Sequence, residues 1–222
     1  EEEDSASSAG EGMYWKYESF LKKMDSKFFS AVGAAGELVA FRTSLYRDLP
    51  EDTILDDFMQ SLLIASDGYR IVYEPDAYAM ETGSDTTSEE LKRKVRISAG
   101  GWQSMKRLFF KITPFNHPLL FFQYLSHRVL RWTITPFLLL LIFILNFFLL
   151  EEGLIYQLVL VAQLLFYAAA LLGYVLENRK LRIKVLFIPF YFCMMNYAVV
   201  AGLFRFLKGS QKSTWEKSKR KT

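Results

Sequence analysis

WTITPFLLLLIFILNFFLL (residues 132–150), GLIYQLVLVAQLLFYAAALLGYVL (153–176) and VLFIPFYFCMMNYAVVAGLF (185–204) contain no Asp, Glu, Lys, Arg or His. A helix crosses a bilayer with roughly 20 consecutive apolar residues, so each run has the length of a span. The chain before residue 132 holds no such run. It reads as soluble sequence, with adjacent carboxylates Asp56-Asp57 and a basic cluster, Arg93-Lys94-Val95-Arg96. The contrast predicts a water-soluble α/β part followed by an all-α membrane region of two to three spans. Chemistry in such a chain takes place at a membrane surface.

Outward from these runs, the chain divides by composition. Residues 1–12 are acidic and rich in Ser, Ala and Gly, and read as a disordered loop. With Glu rather than Met at position 1, the chain reads as a fragment of a longer protein. Tyr14, Tyr17, Leu21, Met24 and Phe28 predict a helix over 13–29. Gly33-Ala34-Ala35-Gly36 is a plain tight turn or a place where backbone approaches a ligand. Residues 37–42 predict a short strand. Leu55, Phe58, Met59, Leu62 and Leu63 predict an amphipathic helix, capped by Asp52 or Thr53 and ended by Gly68. Residues 69–74 and 76–80 predict strands, and 89–99 a basic helix. Over 102–112, Met105, Leu108 and Phe109 oppose Gln103, Lys106, Arg107 and Lys111, the pattern of a helix lying in a membrane interface. Residues 101–130 are therefore expected as amphipathic interface helices, 131–207 as the transmembrane region and 208–222 as a basic tail.

Charge orients the chain. Arg179, Lys180, Arg182 and Lys184 put the connection between the second and third runs in the cytoplasm, because basic loops stay inside. The acidic Glu151-Glu152 turn then faces outward and the soluble part is cytoplasmic. The tail holds Lys208, Lys212, Lys217, Lys219, Arg220 and Lys221 and is expected on the same side. A full third crossing would export it. A hairpin broken between Pro189 and Asn196 would return it to the cytoplasm, and that reading is preferred. One cysteine, Cys193, excludes a disulfide framework and a multi-cysteine metal site. A net charge of +3 gives no reason to expect a nucleic-acid partner. Oligomeric state cannot be read from these residues. Transport is disfavoured because the runs lack the ionisable groups that substrate pathways use.

Two groups of residues have chemical readings beside bland ones. Asp56 and Asp57 fall in the first turn of a helix, where acids complement the dipole by roughly 0.3–1 kcal/mol each. A carboxylate there can also act as a general base on an attacking hydroxyl. Arg93, Lys94 and Arg96 form a solvated helix face or a grip for a diphosphate, whose oxygens match guanidinium forks. Trp215, with the lysines and Arg220 around it, suits a membrane-surface tail or a lid over a charged substrate.

Taken in order, Thr53-Ile-Leu-Asp-Asp-Phe58, Gly68-Tyr-Arg-Ile-Val-Tyr-Glu-Pro75 and Arg93-Lys-Val-Arg-Ile97, followed by apolar spans, resemble the C-terminal portion of membrane-integral glycosyltransferases of family 2, relatives of cellulose, hyaluronan and poly-N-acetylglucosamine synthases. The set covers most of the chain. The resemblance implies the second half of a GT-A-like domain over 13–100. It implies an inverting enzyme that moves a sugar from a nucleotide-sugar donor to a saccharide or lipid-linked acceptor. The location implied is the cytoplasmic face of a bacterial plasma membrane. Asp57 would be the general base, with Asp56 beside it. Arg93, Arg96, Trp215 and Arg220 would bind the donor diphosphate. Gly33, Gly36 and Glu37 would lead into the acceptor site. The family's Gln-x-x-Arg-Trp motif departs here to Arg93 and Ile97, which puts processive polymer synthesis in doubt. The Mg²⁺ or Mn²⁺ of the family is implied too, but its Asp-x-Asp motif does not occur in these residues, and its ligands are expected in the missing half. A non-catalytic, transferase-like membrane scaffold is the alternative.

Overall fold

The computed structural model describes residues 6–213, apart from residues 35, 37, 78, 80–85, 180 and 182. Its helices are α1 (Ala6–Phe28), α2 (Asp56–Ser66), α3 (Thr87–Leu108), α4 (Pro118–Tyr124), α5 (Leu130–Thr133), α6 (Thr135–Phe148), α7 (Leu154–Asn178) and α8 (Lys184–Leu207). One π-helical turn, Leu125–Val129, joins α4 to α5.

No β-strand occurs among the described residues, which overturns the α/β expectation and with it the second half of a GT-A-like domain expected over 13–100. Residues 38–42 and 69–74 run without a ladder partner. A strand is stable only when its backbone groups pair with a neighbour. Here side chains of α1 and its exit take that part. The Ile71 N–H donates to Ser30 Oγ at 3.0 Å and the Tyr73 N–H to Ser26 Oγ at 3.0 Å. The Ala31 N–H donates to the Ile71 carbonyl at 2.9 Å. Tyr78 and Met80 of the third expected strand lie outside the described residues.

At the N-terminus, α1 begins at Ala6, within the stretch read as a loop. Helix α2 is where its periodicity placed it, but its N-cap is Leu55, with no side-chain cap bond, rather than Asp52 or Thr53, and it is buried on every side from Phe58 to Ala65 rather than along one stripe. Around it, Val32, Leu108, Ile112, Leu120, Tyr124, Trp132 and Val199 complete the main core. The two helices expected at 89–99 and 102–112 are one helix, α3, capped by the Thr86 hydroxyl, which accepts from the Glu89 N–H at 3.2 Å. Its apolar side is divided, with Phe109 exposed. Met105 and Leu108 are buried in the core.

Glycines at 100 and 101 remain helical because α3 must be thin there. A Cβ at Gly100 would lie 2.6 Å from Leu55 Cγ, and one at Gly101 would lie 2.2 Å from Trp132 Cζ3. Contacts under about 3.4 Å are repulsive between carbons, so only Gly fits without movement. The close approach of three elements offsets the roughly 1 kcal/mol that each Gly costs a helix.

In the apolar half, α7 and α8 are each long and apolar enough to cross a membrane. At roughly 1.5 Å per residue they span about 37 and 36 Å, more than a hydrocarbon core of roughly 30 Å. The first run is different. Helix α6 has only 14 residues. It becomes a third candidate span only with the segment Pro118–Thr133, from which it bends by 59°. Asn146 clasps α6 to α7, donating from Nδ2 to the Tyr156 carbonyl at 3.2 Å and to Gln163 Oε1 at 3.1 Å.

The expected break at Pro189–Asn196 is absent, and α8 is continuous through both. Pro189 stands in the second helical turn, where its missing N–H removes a single bond. Helix α8 packs along α3 in the same direction. Leu91 lies against Phe187, Tyr191 and Met194. One end later, Gly202 meets Ser98 and Ala99. At the start of α3, the Thr87 hydroxyl bonds to Glu177 at the end of α7.

Candidate functional site

Helix α3 holds the loop that leads into α2. The Arg107 Nη2 group donates to both Asp52 carboxylate oxygens at 2.7 Å. Gln103 donates from Nε2 to the Asp52 carbonyl at 2.8 Å and accepts from the Ile54 N–H at 3.0 Å. With Ile54 and Leu55 seated over Gly100, the first turn of α2 has one position, and it presents Asp56 and Asp57. Asp57 Oδ1 accepts from the Phe58 N–H at 2.7 Å.

The segment after α1 closes over this turn. Gly33 has φ +84°, and a Cβ there would lie 2.4 Å from the Phe58 ring. Both facts demand glycine. A Cβ at Gly36 would lie 3.0 Å from Asp57 Oδ2, so the backbone at residue 36 runs beside the carboxylate. Arg96 reaches the same place from α3. Its guanidinium donates to the Ile54 carbonyl at 3.3 Å and to the Ser213 carbonyl at 2.9 Å. Burial lowers its pKa below that of an ordinary guanidinium, and the attraction of Asp56 and Asp57 opposes that effect. The group stays cationic at neutral pH.

These residues border one cavity of about 1950 Å³. Gly33, Gly36, Asp56, Asp57, Arg93 and Arg96 all line it, so six of the nine expected site residues come together. The other three, Glu37, Trp215 and Arg220, lie outside the described residues. Arg93 differs from its expected role. Its fork is engaged by buried Glu90, with Nε to Oε2 at 3.0 Å and Nη2 to Oε1 at 3.1 Å. Lys94, also buried, sits 3.3 Å from the same carboxylate.

One wall of the cavity was not foreseen. His127, Arg128, Arg131 and Trp132 come from the π-helical turn and α5. Buried Glu18 of α1 pairs with Arg128 at 3.2 Å and also with Arg131. Buried Asp25, two turns further along α1, faces His127 Nδ1 at 2.7 Å and accepts from Gln123 Nε2 at 3.0 Å. The Arg128 guanidinium lies over Trp132, 5.8 Å from the ring centroid. A signal for this wall was present: Glu18 and Asp25 share a helix face at i, i+7, and Arg128 and Arg131 interrupt an otherwise apolar region. Charges in those settings need partners when buried.

Among the described residues, no cluster of three or more His, Cys, Asp or Glu could hold a metal ion. Asp56 and Asp57 are adjacent to a guanidinium, which disfavours a cation. The Mg²⁺ or Mn²⁺ implied by the resemblance therefore does not fit these residues, and no step below runs through it.

No family model, no curated protein and no solved structure matches this chain.

The geometry itself limits the chemistry. A carboxylate pair beside a fixed cation suits proton abstraction from a neutral hydroxyl and stabilisation of a nearby anionic group. Nothing in the described cavity supplies a cysteine nucleophile, since Cys193 is not among its lining residues.

Proposed function

We propose that the chain carries the acceptor side of an inverting glycosyltransferase that works at the cytoplasmic face of a membrane. The donor is a nucleotide sugar. The observation that carries this reading is the shared cavity: Asp56, Asp57 and Arg96 converge in it from two elements, with an apolar helix as a third wall. Asp57 takes the acceptor proton. Arg96 offsets negative charge on the departing diphosphate. Gly36 leaves room beside the carboxylate for the acceptor.

Membrane placement follows the helices. The 14-residue α6 enters the bilayer from the bend at Thr135 and pairs with the spanning α7, with Glu151-Glu152 outside. Helix α8 is long enough to cross and also packs on α7 through Phe192–Phe166 and Phe190–Tyr174, but in this reading it stays at the interface. It lies along α3, which carries Lys92, Arg93, Arg96, Lys106 and Arg107. Each such charge costs roughly 2.5–3.5 kcal/mol at the centre of a bilayer on insertion scales. Helix α3 therefore stays on the aqueous side and holds α8 at the interface. The Ser213 carbonyl on Arg96 is consistent with a tail on the cytoplasmic side.

The test is Asp57→Asn in the gene's full product, assayed for sugar transfer from labelled nucleotide sugars in membranes. A lost general base lowers the rate by roughly 10²–10⁴-fold. Transfer near the wild-type rate would remove Asp57 from the mechanism. A second reading, a non-catalytic scaffold of polysaccharide assembly, draws on Arg93, whose fork is held by Glu90 rather than directed at a ligand. Absence of transfer from wild-type protein with every donor, with correct membrane insertion, would favour it.

A further inference from the structure

We infer that the acceptor at this site is an amphiphile: a membrane lipid whose hydroxyl-bearing headgroup sits at Asp57 and whose hydrocarbon lies along α8. The inference rests on the glycosyl-transfer reading above and chooses between its two acceptor classes.

Helix α8 has two working faces. Phe187, Tyr191, Met194, Ala198 and Gly202 are buried, and the contacts with Leu91, Ser98 and Ala99 turn this face to α3. Beside them, Ile188, Phe192, Met195 and Val199 follow i, i+4, i+7 and i+11 and line the cavity. This second strip is apolar. Tyr191 and Asn196 flank it, and Asn196 donates from Nδ2 back to the Phe192 carbonyl at 2.9 Å, a backbone group of the same helix.

The strip also reaches the outside. Ile188 and Phe192 each line the cavity while remaining 44% exposed. Both keep much of their surface free of protein contact, and the proposed side entrance lies at this pair. The other lip is Thr135, at the 59° bend where α6 leaves the direction of the preceding helix. We place the lipid's entrance beside this bend, on the side of α8 that carries Ile188 and Phe192. An entrance framed by mostly apolar side chains at the membrane interface admits lipid and offers a soluble saccharide few groups to bond.

Size agrees. Sites for one small molecule enclose roughly 300–1,000 Å³. The cavity of about 1950 Å³ has room for a second, elongated ligand. A glycan in the α8 limb would gain no hydrogen bonds from the side chains of Ile188, Phe192 and Val199. An acyl or isoprenoid chain there loses only water contact.

In the reaction, the lipid hydroxyl oxygen bonds to the anomeric carbon of the nucleotide sugar. The anomeric bond to the diphosphate oxygen breaks, and its electron pair leaves with the nucleoside diphosphate. The hydroxyl proton passes to Asp57. The product is a glycolipid that can withdraw through the same side opening.

The gene's full product, reconstituted in liposomes made from a bacterial lipid extract, is given labelled nucleotide sugars. Product is divided between organic solvent and water. Label is expected in the organic phase. Ile188→Asp and Phe192→Asp, made singly, should each raise the apparent KM for lipid at least 10-fold. Val185→Asn, on α8 but outside the cavity, should change neither quantity. Label that accumulates as water-soluble or alcohol-precipitable polymer would overturn the lipid acceptor while leaving glycosyl transfer intact. So would an unchanged KM in both Asp variants. No transfer to any product, from wild type and Asp57→Asn alike, would instead overturn the underlying transfer reading.

Discussion

Gly202→Ala probes the contact that places α8. A Cβ at this position would lie 2.5 Å from Ser98 Cβ, 2.9 Å from the Ala99 nitrogen and 3.0 Å from the Ser98 carbonyl carbon. Two of those atoms are backbone and cannot turn aside. Relief requires α3 and α8 to separate by about 1 Å, starting from contacts that should be near 3.5 Å or more. Overpacking of this kind costs roughly 1–3 kcal/mol. Ala in place of a helical Gly returns up to about 1 kcal/mol through propensity. Gly12→Ala isolates that second effect, because nothing lies within 4 Å of a Cβ at Gly12 in α1. The two variants should therefore differ by about 1–3 kcal/mol, with Gly12→Ala the more stable. Thermal unfolding in detergent, followed by tryptophan fluorescence, reads the difference. For a chain of this size a kcal/mol shifts the midpoint by about 2–4 °C. Equal gains in both variants would show that α8 is not seated on α3 at this point.

Other substitutions test the remaining contacts. Gly101→Ala drives a methyl into the Trp132 ring and should destabilise by roughly 1–3 kcal/mol before the propensity gain. In a Trp132→Ala background the penalty should vanish, and a coupling below roughly 0.5 kcal/mol in the double-mutant cycle would deny the contact. Glu18→Ala leaves Arg128 and Arg131 without their buried carboxylate. Breaking such a pair costs roughly 3–5 kcal/mol, so detergent unfolding should fall sharply, and an effect within about 0.5 kcal/mol would show that the ion pairs carry no stability.

How much was legible in the sequence depended on whether local pattern or tertiary context decided each element. Helix α2 was legible, since apolar periodicity names a helix wherever it lies, and its first turn carries Asp56 and Asp57 as expected. Gly33, Gly36, Arg93 and Arg96 were also found, and they reach one cavity. The strands were not legible as absent. Residues 69–74 have strand-like composition, but a strand exists only through its partner, and Ser26 and Ser30 took that place. The Gly100-Gly101 pair reads locally as a helix break. It is the opposite, a thin point at which Leu55 and Trp132 approach α3. The apolar side of residues 102–112 suits lipid and protein core equally well by composition; the core took Met105 and Leu108 and left Phe109 exposed. Pro189 likewise signals a break that one lost hydrogen bond does not enforce.

The wall formed by Arg128, Arg131 and Trp132 went unseen for a related reason. Its ligands to α1, Glu18 and Asp25, are more than 90 residues away in sequence. The π-helical turn that aims these side chains has no local signature here. Such turns recur at functional sites because one extra residue per turn rotates the side chains that follow.

The central claim is that the tail beyond α8 lies on the same membrane face as the carboxylates of α2. Single cysteines at Glu51, exposed in the loop before α2, and at Lys212, exposed beyond α8, test it directly once Cys193 is replaced by Ser. Each is treated with a membrane-impermeant maleimide in inverted and in right-side-out vesicles. Glu51→Cys and Lys212→Cys should label in the same vesicle type. Labelling from opposite faces would mean that α8 crosses the bilayer, and would contradict the packing of α8 on α3.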